Sequence, residues 1–288
     1  MAFHFQTFKT RAITAILFVA VMLTGLLWNQ WSFLLLFTLI HFGCWWEYQR
    51  LVGLINNSYQ EIHPLHRYGI MLIGYGLMLW LSDPVYHIGK MSLGLIGWSM
   101  FWVGLIAFIL SELLLTKKLQ PRLWAYSFFG LLYISLSWGC LMRLSGSYSV
   151  MLLDSYAWML PLLLIASIWI NDTMAYLVGS FIGKTPFSSI SPKKTWEGTI
   201  GGAIIAIGLI TYAGHVFLGF PVNPLLLISV TAAIGGTAGD LFESKLKRMA
   251  GVKDSGQIMP GHGGFLDRFD SLLFASTLVW LLLRVFSE

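Results

Sequence analysis

Asp240, Ser244 and Lys247 lie at i, i+4 and i+7 of Gly239-Asp240-Leu241-Phe242-Glu243-Ser244-Lys245-Leu246-Lys247-Arg248. A helix through this stretch therefore stacks a carboxylate, a hydroxyl and an ammonium on one face. Such a row suits a metal-bound phosphate, with hard oxygen ligands for Mg2+ and a cation for phosphate oxygens. Lys245, Lys247 and Arg248 also suit a plain basic stop at a helix end, favoured by the helix dipole and by anionic lipid. Asp240 favours the chemical reading, because an acid at the membrane end of a span needs a partner. A second group follows in Gly251-Val252-Lys253-Asp254-Ser255-Gly256 and Pro260-Gly261-His262-Gly263-Gly264-Phe265-Leu266-Asp267-Arg268-Phe269-Asp270. Its glycines permit a tight loop whose amides can approach phosphate at a helix N-terminus. Asp267 and Asp270, at i and i+3, share a helical face where two unpaired carboxylates are costly without a cation. A divalent metal is the economical explanation; the competing one makes them dipole partners of the last helix with Arg268 as counter-ion. Asp172, preceded by Asn171, is an acid inside an apolar block and a further site candidate, an interhelical hydrogen bond being its plain alternative. Ser188, Ser189, Ser191 and Pro192 read as a turn that brings Lys193 and Lys194 to the interface, and Glu197 is expected to pair with a neighbouring lysine rather than bind metal.

The elements that must hold these groups are membrane helices. Of 288 residues 57% are hydrophobic and 11% charged, against about 25% charged in an ordinary soluble domain. Blocks near the roughly 20 residues that a membrane helix needs fall near 12–29, 31–47, 68–82, 91–114, 124–142, 156–178, 199–219, 224–240 and 271–286. The expected fold is an all-α integral membrane protein, a polytopic bundle of about nine transmembrane helices, since backbone polar groups in lipid must be satisfied within helices. The run Ala12 to Trp28 is followed by no cleavage pattern and reads as a retained first span. Cys44 and Cys140 lie inside apolar blocks, where neither a disulfide nor a zinc site is expected.

With the N-terminus cytoplasmic, fifteen of the eighteen Lys and Arg residues fall on one side and only Lys90, Arg143 and Arg284 on the other. The positive-inside rule supports that orientation, and the net charge of +5 then needs no nucleic acid. Residues 1–150 read as an N-terminal transmembrane region to which no functional residue is assigned. Residues 151–288 read as a C-terminal catalytic region with cytoplasmic loops at 179–198 and 241–270.

The segment Ser244-Lys245-Leu246-Lys247-Arg248, with Lys253-Asp254 and the string His262 to Asp270, resembles the signature of the phosphatidate cytidylyltransferases, or CDP-diacylglycerol synthases. Asn171 to Tyr176, Gly179, Gly183-Lys184-Thr185 and Ser191 to Gly198 are similar to a second region of that family. The resemblance covers residues 160 to 275 in detail and the first 150 only as a hydrophobic multi-span region. It implies attack of the phosphate of phosphatidic acid on the α-phosphorus of CTP, with release of pyrophosphate and a requirement for Mg2+; a second, monovalent cation is a further candidate. It implies Asp240 and Asp267 as metal ligands, with Asp270, Asp172 and Asp254 as further ligands or orienters. Lys247 joins Asp240, Asp267, Asp254 and Asp172 as a catalytic candidate. Ser244, Lys193, Lys194, Arg248, Lys253, His262, Gly263, Gly264 and Arg268 are the substrate-binding candidates. Similar proteins suggest a homodimer in contact with membrane lipid, and the compact chain suggests a bacterial inner membrane with the site facing the cytoplasm.

Gly179 to Thr185 imitates a phosphate-binding loop but has three residues between its glycines instead of four and follows a membrane span. The alternative function is an ion- or proton-coupled transporter using Asp172, Asp240 and Asp267 as its pathway. It explains the acids but not the glycine-lysine-aspartate loops on one side.

Overall fold

The computed structural model describes residues 5–83, 85–115, 120–146, 158–258 and 263–286. Among them the chain runs as α1 (Phe5–Leu27), α2 (Gln30–Ile55), α3 (Pro64–Leu81), a small ribbon of β1 (His87–Ile88) and β2 (Met91–Ser92), α4 (Leu93–Leu115), α5 (Pro121–Gly130), α6 (Ser137–Leu144), α7 (Leu160–Ile182), α8 (Trp196–Leu218), α9 (Val222–Met249) and α10 (Leu266–Val285). A π-helical turn, Leu131–Leu136, joins α5 to α6 as one rod. Counted so, nine helical rods stand among the described residues, at the nine places where the apolar blocks fall. Five of the rods, Leu93–Leu114, Pro121–Leu144, Leu160–Ile182, Trp196–Leu218 and Val222–Met249, are long and apolar enough to cross a membrane by length and composition.

Local chemistry sets the ends. Asn29 caps α2, its side chain accepting from Trp31 N at 2.8 Å and Ser32 N at 2.9 Å, while Ser32 Oγ accepts from Asn29 N. Pro64 and Pro161 open α3 and α7, where a missing N–H costs nothing. Thr195 caps α8 through Gly198 N, and Gly219 ends it in the left-handed region at φ 70°. Two rods run far past the C-terminal ends of their apolar blocks. α2 continues past residue 47 to Ile55 because Tyr48, Leu51 and Val52 keep a buried stripe going between polar residues, and α9 continues past 240 to Met249 with Glu243 buried. The two hydrophilic connections are therefore shorter than expected, 183–195 and 250–265.

Three antiparallel hairpins build the bundle, α3 with α4, α7 with α8 and α9 with α10. They close on glycine: Gly76 and Gly97 face each other's backbone, Gly198 and Gly202 face Gly179 and Ala175, and Gly239 faces the Asp270 carbonyl, so side chains at these points would collide with main chain. α2 forms the spine of the N-terminal half and also touches α9 and α10. The boundary read at residue 150 lies outside the described residues.

Candidate active site

Two helix ends and two loops converge. On α9, Ser244 Oγ stands 3.4 Å from Asp240 Oδ1, as the i, i+4 spacing requires. Lys247 does not reach Asp240: its ammonium pairs with Glu243 one turn back and donates to Asp267 Oδ1 of α10 at 2.6 Å. Lys194, from the loop between α7 and α8, is the partner of Asp240. Three carboxylates near the helix ends are thus held by two cations, Lys194 on Asp240 and Lys247 shared by Glu243 and Asp267.

The 250–265 connection is shaped around Asp267. α9 ends with Val252 N donating to Lys247 O at 3.0 Å, and Gly251 takes φ 70°. Gly263 takes φ 83°, and a β-carbon there would lie 2.5 Å from Asp267 Oδ2. That left-handed turn aims Gly264 N at Asp267 Oδ2 at 2.8 Å, beside Ser255 N at 2.8 Å and Ser255 Oγ at 2.9 Å. The two backbone donors and one ammonium hold this carboxylate ionised and fixed, with the Ser255 hydroxyl beside it. Asp270, one turn on, is 9% exposed and accepts from Ser271 N at 2.6 Å.

The 183–195 loop is a clasp. Phe187 N donates to Lys194 O and Trp196 N to Thr185 O, the Phe187 and Trp196 rings meet edge to face at 4.5 Å, and Pro186 bridges Thr195. Glu197 was expected to pair with a lysine side chain. It instead accepts from Lys184 N, Thr185 N and Thr185 Oγ1, because its place in the first turn of α8 faces the free amides of the clasp. The result delivers Lys193 and Lys194 to the wall of a cavity.

That cavity has a volume of 630 Å³ and is lined by Asp172, Asp240, Asp267 and Asp270 together with Lys193 and Lys194. Four carboxylates thus line it beside two ammonium groups, while Lys247 pairs Asp267 from outside the lining. A smaller cavity of 130 Å³ is also lined by Asp172, Asp267 and Asp270, together with Phe18 and Met22 of α1, Ile165, Ile168 and Trp169 of α7, and Arg268. Asp172, Asp267 and Asp270 therefore line both cavities.

Most sequence candidates meet here: Asp172, Asp240, Asp267, Asp270, Lys193 and Lys194 in the cavity, Ser244, Lys247, Gly263 and Gly264 directly behind it. Among the described residues Arg248 is exposed and reaches only Val252 O, while Lys253 and Asp254 are exposed in the turn before Ser255 and do not line the cavity. His262 lies outside the described residues. Among those residues no three His, Cys, Asp or Glu side chains form a ready-made metal cluster. The donor set still fits Mg2+, which keeps several waters and takes one or two protein carboxylates; the excess of carboxylates over ammonium groups in the lining points the same way.

Glu47 of α2 went unnoticed in the sequence. It is 3% exposed and accepts from Phe265 N at 2.9 Å, Leu266 N at 2.9 Å and Ser255 Oγ at 2.7 Å. Its only signal was an acid inside an otherwise apolar stretch, Cys44-Trp45-Trp46-Glu47-Tyr48.

A sequence model of the cytidylyltransferase family matches residues 9–286. The chain is 50% identical over 122 residues to the phosphatidate cytidylyltransferase of Bacillus subtilis (strain 168), covering 42% of this chain and 45% of that protein. It is 44% identical over 125 residues to the phosphatidate cytidylyltransferase of Helicobacter pylori (strain J99), covering 41% and 47%. It is 48% identical over 118 residues to the chloroplastic phosphatidate cytidylyltransferase 4 of Arabidopsis thaliana, covering 40% and 29%. The matched stretch spans less than half the length of each of these curated relatives.

Proposed function

The chain belongs to the cytidylyltransferase family, and on that premise we propose that it converts CTP and phosphatidic acid to CDP-diacylglycerol and pyrophosphate. The observation that carries the reading is the gathering of Asp172, Asp240, Asp267 and Asp270 with Lys193 and Lys194 around one cavity of 630 Å³, able to hold a metal and phosphate groups together. An anionic oxygen of the phosphatidate phosphate attacks the α-phosphorus of CTP, a new P–O bond forms, the α–β bridging bond breaks, and its electrons leave with pyrophosphate. The nucleophile is already ionised, so no protein base is needed; the task is to hold two anions together and in line. Lys193 and Lys194 neutralise nucleotide phosphates at the cavity wall, and Lys247 keeps the Asp267 carboxylate in place. Mg2+, for which Asp240, Asp267 and Asp270 are the proposed ligands, supplies neutralisation of the phosphate charge when bound.

The same proposal places the cavity at the cytoplasmic face of a bacterial inner membrane, in line with the bias of Lys and Arg towards the loops on that side. A homodimer is proposed from the resemblance alone. A coupled transporter draws no support from the family match or the relatives.

The test is CTP- and Mg2+-dependent formation of CDP-diacylglycerol from phosphatidic acid by purified protein in detergent, with Asp267→Asn beside the wild type. Turnover that falls on the order of a thousandfold in a folded variant supports the reading. A folded wild type without turnover overturns it.

A further inference from the structure

We propose that the end of α2 and the start of α3 form a binding site for the phosphate headgroup of an anionic phospholipid, held between Arg50 and Arg67. A cavity of 450 Å³ lies there, and Trp46, Gln49, Arg50 and Gly53 of α2, with Gln60 and Arg67, are among the residues that line it. The four on α2 fall at i, i+3, i+4 and i+7, one face of the helix. Gly53 leaves that face hollow. Gln60 lies across it, its amide donating to Gly53 O at 2.8 Å, and a β-carbon at Gly53 would meet the Gln60 side chain at 2.9 Å. The lining carries two guanidinium groups and no carboxylate, the reverse of the cavity around Asp267. Glu47, the acid of α2, is committed elsewhere, to Phe265 N, Leu266 N and Ser255 Oγ.

Protein contacts alone hold Arg67 in place. Its Nε donates to Gln49 Oε1 at 3.1 Å, Gln49 Nε2 donates back to Arg67 O at 2.8 Å, and Gln49 is 2% exposed. The guanidinium lies over the Trp46 ring, 5.3 Å from its centroid. With Nε engaged, the two terminal nitrogens form the edge that grips a phosphate through paired bonds. Among the described residues no carboxylate pairs with Arg50 or Arg67. Membrane topology asks only for positive charge on this side of the bundle. It does not call for a buried glutamine that fixes a guanidinium, nor for a cavity beside it. The depth is right for a lipid headgroup. Glu47 ties this level of α2 to the start of α10, so the cavity stands at the end of the bundle that carries the acidic site. Trp46 and Leu54, 52% and 42% exposed, give the cavity an apolar edge, and tryptophan anchors helices at the headgroup level. Two cations beside an apolar edge fit a phosphate esterified to a lipid better than free phosphate in water.

The experiment titrates the full chain in detergent micelles with phosphatidylglycerol, a phosphodiester that is not a substrate of the proposed reaction. Retained lipid is counted by native mass spectrometry, with zwitterionic phosphatidylcholine as the reference. Wild type is expected to hold phosphatidylglycerol about tenfold more tightly than phosphatidylcholine, and Arg50→Gln and Arg67→Gln each to weaken that binding about fivefold. Lys245→Gln, which removes an exposed cation of α9 outside the cavity, is expected to change it less than about twofold. Equal affinity for the two lipids overturns the proposal, as does a folded Arg50→Gln within about twofold of wild type. An equal loss in Lys245→Gln also overturns it, because diffuse surface charge then accounts for the binding. Displacement of the lipid by an excess of inorganic phosphate would assign the cavity to a soluble anion and overturn it as well. Arg67→Gln removes a partner of the buried Gln49; should it not fold, Arg50→Gln decides alone, since that side chain is exposed. The readout needs no turnover, so a chain inactive on CTP sinks the proposed reaction and leaves the lipid site standing.

Discussion

α4 and α9 are both long enough to cross a membrane, yet they use their surfaces in opposite ways. Of the membrane-length stretch of α4 22% is buried inside the protein, against 50% for α9. α4 turns Trp98, Trp102, Val103, Ile106, Leu110 and Leu113 outward, the face that lipid covers in a polytopic bundle. α9 buries Glu243 completely, pairs it with Lys247, and carries Asp240 to a cavity wall. The difference teaches where hydropathy informs: it finds the helix that only has to sit in lipid, and it blurs at the helix that has work to do, because the polar residues there are hidden by partners on other rods.

The sharpest way to break the contrast is Lys247→Met. It deletes the cation shared by Glu243, which is fully buried, and Asp267. Removing one member of a buried charge cluster typically costs about 3–5 kcal/mol. The expected outcome is a large fall in the thermal midpoint together with loss of turnover. A variant as stable as wild type would mean that the α9 carboxylates are held by something other than Lys247.

Next comes the hairpin that carries the lysine loop. Gly202→Val on α8 forces a branched side chain into the backbone of Ala175, while Gly208, two turns along the same helix, has open space around it. Overpacking of this kind costs about 1–3 kcal/mol, so Gly202→Val is expected to lower the thermal midpoint and Gly208→Val to leave it nearly in place. Equal effects would show that α7 and α8 are not packed through their small residues.

These two cases also mark what could be read from residues in order. The nine rods were legible because each block of apolar residues is local, and the acids at 172, 240, 267 and 270 stood out because an acid beside such a block is costly. The pairings were not legible. Lys247 shares the face of Asp240 by spacing, but its side chain crosses to Asp267, and only the antiparallel packing of α9 on α10 decides that. Glu47 was hidden twice: its helix ends its apolar block there, and its partners are Ser255 and the start of α10. The helical continuation to Ile55 was likewise masked by Glu47, Gln49 and Arg50, although Leu51 and Val52 keep the buried stripe.

Lys194→Gln is a smaller perturbation. It removes the partner of Asp240, but both side chains are partly open, at 31% and 23% exposure, so the pair contributes little to stability. The expected result is an unchanged thermal midpoint and a CTP KM raised about tenfold, equivalent to about 1.4 kcal/mol. The KM of the variant is also expected to depend less on ionic strength, since one screened attraction is gone. A variant that loses stability but not CTP affinity would move Lys194 from the substrate to the scaffold.

The smallest effect belongs to α4. Ile106 is 57% exposed on the outward face, and Ile106→Leu keeps both its volume and its apolar character. Substitutions at such positions typically stay within about 0.5 kcal/mol, so turnover and thermal midpoint are expected to match wild type within error. Because the change conserves hydrophobicity, any clear loss must come from shape, and shape matters only where a defined surface packs against the residue. A fall equivalent to more than about 1 kcal/mol, the scale of a disturbed packed contact, would therefore reveal a protein partner on this face, such as a second copy of the chain, and would make α4 a packed helix like α9 instead of its opposite.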